Sequence, residues 1–214
     1  MTIKSDRASW QTIAQTFERE YWTGCVPSIT PHRTAQARTL SSMIWGNFGF
    51  SQDSFSGKVV LDVGAGPTAR CSWLDGTFVA IEPLADTYIH MPYEQIWKVP
   101  AEQHIQELVD SVDYVVSLNA LDHCYDLPLI LHNLITYIRE GGGAFLSFDV
   151  DKGVEEDETH PLVMTHEEAS QAITESGFDI IKHSSGRCYP LGDDVWRDSW
   201  GGGTAHHWWL EVSS

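Results

Sequence analysis

The chain has 214 residues, 42% hydrophobic and 11% aromatic. That excludes a disordered polymer and is enough to bury one core around a single sheet. Thirteen Lys and Arg against thirty Asp and Glu give a formal charge of −17, a surface that repels phosphate backbones, so no nucleic-acid partner is expected. The four cysteines (Cys25, Cys71, Cys124 and Cys188) contain no CxxC pair, which argues against a zinc knuckle or disulfide scaffold and predicts a reducing, cytoplasmic setting. The first ten residues have no apolar segment, and the longest apolar stretch, DLPLILHNLITYI, is broken by His132 and Asn133. Neither a secretory signal nor a membrane partner is therefore expected.

Residues 1–50 predict a helical N-terminal cover. Trp10, Ile13, Ala14, Phe17 and Tyr21 form a stripe at helical spacing, and a weaker helix over 32–45 carries Leu40, Met43 and Ile44. From residue 58 strands alternate with helices. KVVLDV predicts a first strand, followed by a short helix from Pro67 to about Leu74. TFVAIE predicts a second strand, with Pro83 opening a short helix. QIWKV predicts a third strand and AEQHIQELVD the helix after it. VDYVVSLN predicts a fourth strand. Asp126 caps the next helix, with GGG at 141–143 as its stop and AFLSFDV as the fifth strand. Thr165 and Glu168 make a capping box for a helix over 166–176 that ends at Gly177. FDIIKH and HHWWLEV predict the last two strands, paired antiparallel. The expected architecture is a single α/β domain with a doubly wound, Rossmann-like, seven-stranded core over 58–212. Its sheet is mostly parallel, with one reversed C-terminal strand at the edge.

In such a sheet a ligand binds outside the carboxyl ends of the strands, beside the first one. VVLDVGAGPTAR places Asp62, Gly64 and Gly66 there, and Glu82 ends the second strand, where a carboxylate can take both hydroxyls of a ribose. GAGPTA is also a loose match to the GxGxxA turn of dinucleotide sites. Three features favour a nucleoside without phosphates. Pro67 removes an N–H that a pyrophosphate would use. Asp62 and the overall acidity suit a zwitterionic sulfonium better than two phosphates. The final strand pair leaves no room for a separate substrate domain.

These stretches together resemble a class I S-adenosylmethionine-dependent methyltransferase of the small, methyltransferase type 11 kind. VVLDVGAGP is similar to the first motif, VAIEPLADTY to the acidic second-strand motif, and VPAEQ to the adenine-side turn. VDYVVSLNALDHCYD resembles the fourth-strand motif and IREGGGAFLSF the turn into the fifth strand; HPLVMTHEEASQAITESGFDIIK matches the final helix and sixth strand. The resemblance covers about three quarters of the chain with its motifs in order. It implies S-adenosylmethionine as cofactor, with Gly64 and Gly66 against its methionine part and Glu82 on its ribose. Ala101 and Glu102 would border the adenine, and Asn119 and Ala120 would lie at the sulfonium side. Asp62 would orient the glycine loop or the ammonium group. Glu82 stands where many relatives carry Asp.

His123, with Asp122, follows the fourth strand at the same edge and is the candidate general base for an acceptor hydroxyl. The preferred reading is a histidine that hydrogen-bonds the loop and packs the helix start, since methyl transfer from a sulfonium can proceed largely by positioning the nucleophile in line. Asp149 and Asp151 of FDVD, followed by Glu155–Glu158, resemble a magnesium-holding DxD, but a solvated acidic loop is the preferred reading and no metal is expected. His206 and His207 point to opposite faces of a strand, and with lone His160 and His166 they read as structural or exposed. A minority reading makes RCYPLGDDVWRDSWGGG, with Arg187, Tyr189, Asp193, Asp194 and Arg197, an acceptor pocket together with EREYW. The expected activity is methyl transfer to a small molecule or glycan, at oxygen. The rivals are an NAD(P)-dependent oxidoreductase and a non-catalytic partner subunit that binds S-adenosylmethionine.

Overall fold

Val59–Val63 is a run of β-branched and aliphatic residues around one Asp, and four of its five positions are buried. Burial on both faces suits the centre of a parallel sheet. A computed structural model of the chain describes residues 5–25, 46, 48–67, 71, 74–88, 91–150, 160–186 and 204–213. Its strands are β1 (Val59–Val63), β2 (Thr77–Ile81), β3 (Gln95–Trp97), β4 (Val112–Leu118), β5 (Ile138–Val150), β6 (Phe178–Gly186) and β7 (Thr204–Val212). They form one sheet in the order β3-β2-β1-β4-β5-β7-β6. Strands β3, β2, β1, β4 and β5 run parallel, and β7 is antiparallel to both β5 and β6.

The doubly wound, Rossmann-like expectation is met, with one correction. The reversed strand β7 lies inside the sheet, and β6 is the edge. The crossover from β5 to β6 leaves a gap one strand wide, and the chain returns into that gap. Both flanking ladders then satisfy the backbone of β7, whose Trp208 and Leu210 are fully buried.

Helices in this region follow local signals where those signals are strong. Asp126 caps α3 (Leu127–Tyr137) by accepting from the Leu129 N–H at 3.0 Å. Helix α4 (His166–Glu175) carries the full reciprocal capping box between Thr165 and Glu168. Both pack on one face of the sheet, where Leu61, Val115, Leu146, Trp208 and Leu210 meet Leu131, Leu134 and Ile173. The other face carries Val60, Val116 and Phe145 against Phe48, Phe50 and Phe55.

Other expected helices are corrected. The 102–110 segment holds only a 3-10 turn, Gln106–Leu108. Tyr137 Oη is 2.8 Å from the Ile105 N–H, accepting the hydrogen that a helix would have sent four residues back, and Ile105 is extended. After Pro83 there is again only a 3-10 turn, Ala85–Thr87. The helix expected from Pro67 to about Leu74 falls largely outside the described residues, as does the one over 32–45.

The glycine triplet does not stop α3. It lies within β5, where a Cβ on Gly142 would fall 2.2 Å from the Asp113 carbonyl oxygen and one on Gly143 2.3 Å from that of Leu210. The triplet is there for backbone approach, at a register shift between Val112–Ile138 and Tyr114–Gly143.

The N-terminal cover is α1 (Arg7–Ser9), a π-helical turn over Trp10–Ala14, and α2 (Gln15–Cys25). The π turn adds a residue to the helical repeat and breaks the expected apolar stripe. Trp10 and Ala14 are buried, whereas Ile13, Phe17 and Tyr21 are 49%, 46% and 37% exposed. Among the described residues no helix is long and apolar enough to cross a membrane.

Candidate active site

The strand order reverses between β1 and β4, and the residues expected to bind cofactor lie at or after the carboxyl ends of these strands and of β2 and β3. After β1 the chain turns sharply at Gly64, whose φ is +70° and whose N–H donates to the Ile81 carbonyl at 2.9 Å. The open face of Gly64 abuts Ala120, the second residue after β4. Asn119, just before it, also sits in the left-handed region at φ +58°, and its N–H donates to the Ser147 carbonyl of β5. Asn tolerates that conformation better than most side chains.

Glu82 follows β2 and is buried. Its Oε2 accepts from the Gly66 N–H at 2.9 Å and its Oε1 from the Leu84 N–H at 2.8 Å. The carboxylate therefore ties the glycine turn to the end of β2, with lone pairs on both oxygens left over. Burial pushes its pKa up to about 7 against these two N–H groups, and the negative charges of Asp62 and Glu18 add to the rise. Asp62 is buried within β1 and accepts a 2.6 Å hydrogen bond from the Tyr93 hydroxyl. Two buried acids thus flank the turn.

Ala101 and Glu102, after β3, are pinned from α3. Asn133 Nδ2 donates to the carbonyls of both, at 3.1 and 3.0 Å. The Glu102 carboxylate turns toward the start of α3, with Oε1 accepting from the N–H groups of Tyr125 and Asp126 at 2.7 and 3.2 Å. Burial raises its pKa. The Glu102 side chain thus shapes the turn through the backbone.

His123 lies in a 3-10 turn, Leu121–His123, at the carboxyl end of β4. Its Nδ1 is 3.3 Å from Glu18 Oε1 of α2, and its ring packs 4.3 Å from that of His160. Burial raises the Glu18 carboxyl, but the contact with His123, the Trp22 indole N–H and the charge of His160 together more than offset this and hold it below its usual range. His160 Nε2 is in turn 3.8 Å from Asp122 Oδ2, so Glu18, Asp122, His123 and His160 form one cluster. The N-terminal cover is fastened here: Trp10 Nε1 donates to the His123 carbonyl at 2.7 Å, and the Ser5 N–H to that of Tyr125.

The expected lone status of His160 is therefore corrected. No local spacing announced Glu18 or His160, because three separate parts of the chain supply the cluster. His206 contacts His183 at 2.9 Å, with His166 stacked on it, while His207 Nδ1 lies 2.8 Å from Ser147 Oγ; the two faces are as the alternation implied. Asp149 lies on β5, whereas Asp151, Glu155–Glu158 and the 187–203 loop lie outside the described residues.

No protein-family model matches the chain. It is 28% identical over 102 residues to the ubiquinone biosynthesis O-methyltransferase of Aeromonas salmonicida, a match spanning 42% of this chain and 43% of that protein. Among solved structures, it is similar to the Burkholderia thailandensis 1,6-didemethyltoxoflavin-N1-methyltransferase bound to S-adenosylhomocysteine. That likeness has a TM-score of 0.62 at 14% identity over 94% of this chain and 89% of that one. A chain of a Haloferax volcanii complex containing the Trm112 methyltransferase activator superposes with a TM-score of 0.65 at 14% identity, over 90% and 98% of the two chains. With its strand order, its internal reversed strand and its glycine turn at the switch point, the chain has the class I Rossmann-like fold of S-adenosylmethionine-dependent methyltransferases.

Proposed function

We propose that the protein transfers a methyl group from S-adenosylmethionine to a small-molecule or glycan acceptor, at oxygen. The carrying observation is the Glu82–Gly66 hydrogen bond, which holds a buried carboxylate beside the glycine turn at the point where the strand order reverses. The residues present fit the cofactor. A turn without side chains at Gly64 and Gly66 admits a flat chain of methionine atoms, and Glu82 keeps acceptor capacity for a ribose diol. Ala101 would border the adenine with Glu102 behind it, Asn119 and Ala120 would line the sulfonium side, and Asp62 would stand toward the ammonium group. When bound, the sulfonium supplies an electrophilic methyl.

The chain's own work is then to bring an acceptor oxygen in line and manage its proton. His123 is the group for that role, with Glu18 beside its Nδ1 to fix the ring. The O-methyltransferase named above supports oxygen as the acceptor atom, while the toxoflavin enzyme's name specifies nitrogen.

Calorimetric titration with S-adenosylhomocysteine and, separately, with NAD and NADP tests the cofactor. One homocysteine nucleoside per chain and no heat from either dinucleotide is the expected result. The reverse pattern would replace this reading with the oxidoreductase one. Mass spectrometry of hydroxyl- and amine-bearing acceptors, scoring the gain of one methylene unit, then decides the acceptor atom. Tight cofactor binding without turnover on any of them would favour a non-catalytic partner subunit.

A further inference from the structure

We infer that Asp122, His123 and His160 form a binding site for a first-row divalent transition-metal cation, with Glu18 as a second carboxylate at its rim. The three side chains each offer a ligand atom, and these atoms all lie within 4.8 Å of one another. Ligands of a tetrahedral zinc, about 2.0–2.1 Å from the metal, lie roughly 3.4 Å apart. The 3.8 Å between His160 Nε2 and Asp122 Oδ2 is already close to that spacing. A contraction of at most about 1.4 Å would close the rest.

The donor set decides the class of cation. Two imidazoles and a carboxylate are borderline ligands that suit Zn²⁺, Fe²⁺ or Co²⁺, whereas Mg²⁺ and Ca²⁺ prefer all-oxygen sites. Three ligands also leave at least one coordination position open, the pattern of catalytic rather than structural sites. The supports are in place. Asp122 is 1% exposed, held in the 3-10 turn after β4, and the His123 carbonyl is anchored by Trp10. His160 reaches in from beyond β5, and Glu18 from the N-terminal cover approaches Nδ1 of His123 at 3.3 Å. A carboxylate behind a ligating imidazole is a common way of orienting it.

The site's place beside the acceptor rests on the methyltransferase reading; cation binding itself does not. A bound cation would make His123 a ligand in place of its proton-transfer role and would itself lower the pKa of an acceptor oxygen at its open position.

The test uses the full chain stripped with a chelator and titrated with Co²⁺, followed by calorimetry and by visible absorption, and with Zn²⁺ in competition. One ion per chain is expected, with the absorption of a four- or five-coordinate centre. His160→Gln, at a partly exposed position, should weaken binding about tenfold or more and leave S-adenosylhomocysteine affinity unchanged. His183→Gln, in the separate histidine stack by β7, should bind as the parent does. No stoichiometric binding by the parent chain would overturn the proposal, as would equal affinity in His160→Gln or loss of the ion only in His183→Gln. Failure to bind S-adenosylhomocysteine with metal binding intact would sink the cofactor reading alone.

Discussion

Gly64 and Ala120 approach so closely that a Cβ on Gly64 would fall 2.2 Å from the Cβ of Ala120. The contact joins the turn after β1 to the end of β4 across the switch point. Gly64→Ala meets two obstacles, this overlap and a φ of +70°. Either the turn or Ala120 must move, and both border the proposed cofactor site. Loss of about 1–3 kcal/mol of stability is expected in urea unfolding. A drop of at least tenfold in S-adenosylhomocysteine affinity should accompany it. Unchanged affinity would mean that the turn does not touch the cofactor.

Glu82 makes cofactor binding depend on pH. Its pKa, raised to about 7 by burial, means that part of the free protein carries a protonated carboxyl near neutrality. A ribose diol donates hydrogen bonds best to the ionised form, so binding should release a proton and affinity should rise between about pH 6 and pH 8. The folding term has the opposite sense. The folded state holds this proton more tightly than the unfolded one, so the stability Glu82 contributes is complete below about 4.5 and is lost as pH rises through about 7. Glu82→Gln keeps the shape and removes the titration. In that variant S-adenosylhomocysteine affinity should be weaker and flat across the range. A parent protein whose affinity is also flat would contradict the shifted carboxyl.

His207 sets a pH limit on the fold itself. Burial lowers its pKa to about 4, with His206 and His183 contributing, and its Nδ1 is hydrogen-bonded with Ser147 Oγ inside the sheet. The unfolded chain binds a proton at about 6.5 and the folded one only near 4, so this stability is present above about 6.5 and disappears as pH falls toward 4. The full effect is about 3 kcal/mol. His183, also lowered by burial, acts in the same sense. Over the acid range Glu82 and His207 oppose one another, so the variants must be compared. His207→Asn should show a shallower loss of urea midpoint between pH 6.5 and 4 than the parent, and an equal slope would acquit His207.

What was legible in the chain was what is local. Asp126 and the Thr165–Glu168 box announced α3 and α4 because capping involves only residues three apart. The period of the β1 and β4 sequences located the turn with Gly64 and Gly66, and Glu82 followed from its place after β2. What misled was tertiary. Tyr137, from the end of α3, satisfies Ile105 and dissolves the helix predicted there. The glycine triplet looked like a helix stop because the backbone it must admit, that of Leu210, belongs to a strand far along the chain. Glu18, in the EREYW stretch read as part of an acceptor pocket, meets His123 from a distant part of the chain, a pairing no local spacing announces.

The pair Glu18–His123 gives the sharpest separation between binding and chemistry. His123 follows β4, two strands from Glu82 at the end of β2, and is held by Glu18, Trp10 and His160. His123→Ala should therefore lower turnover by about 10²–10⁴, the usual range for a positioned proton-transfer group, and leave S-adenosylhomocysteine affinity within about twofold. Glu18→Gln preserves the reach of the side chain and removes its charge. If Glu18 only packs the cover, turnover should follow the thermal stability of the variant. If it positions the imidazole, turnover should fall while stability and KM for the cofactor stay near parental values. Glu18→Asp, which restores the charge on a shorter stem, should recover part of the rate. Equal turnover in His123→Ala and the parent would remove both residues from the chemistry and leave acceptor alignment to the backbone after β4.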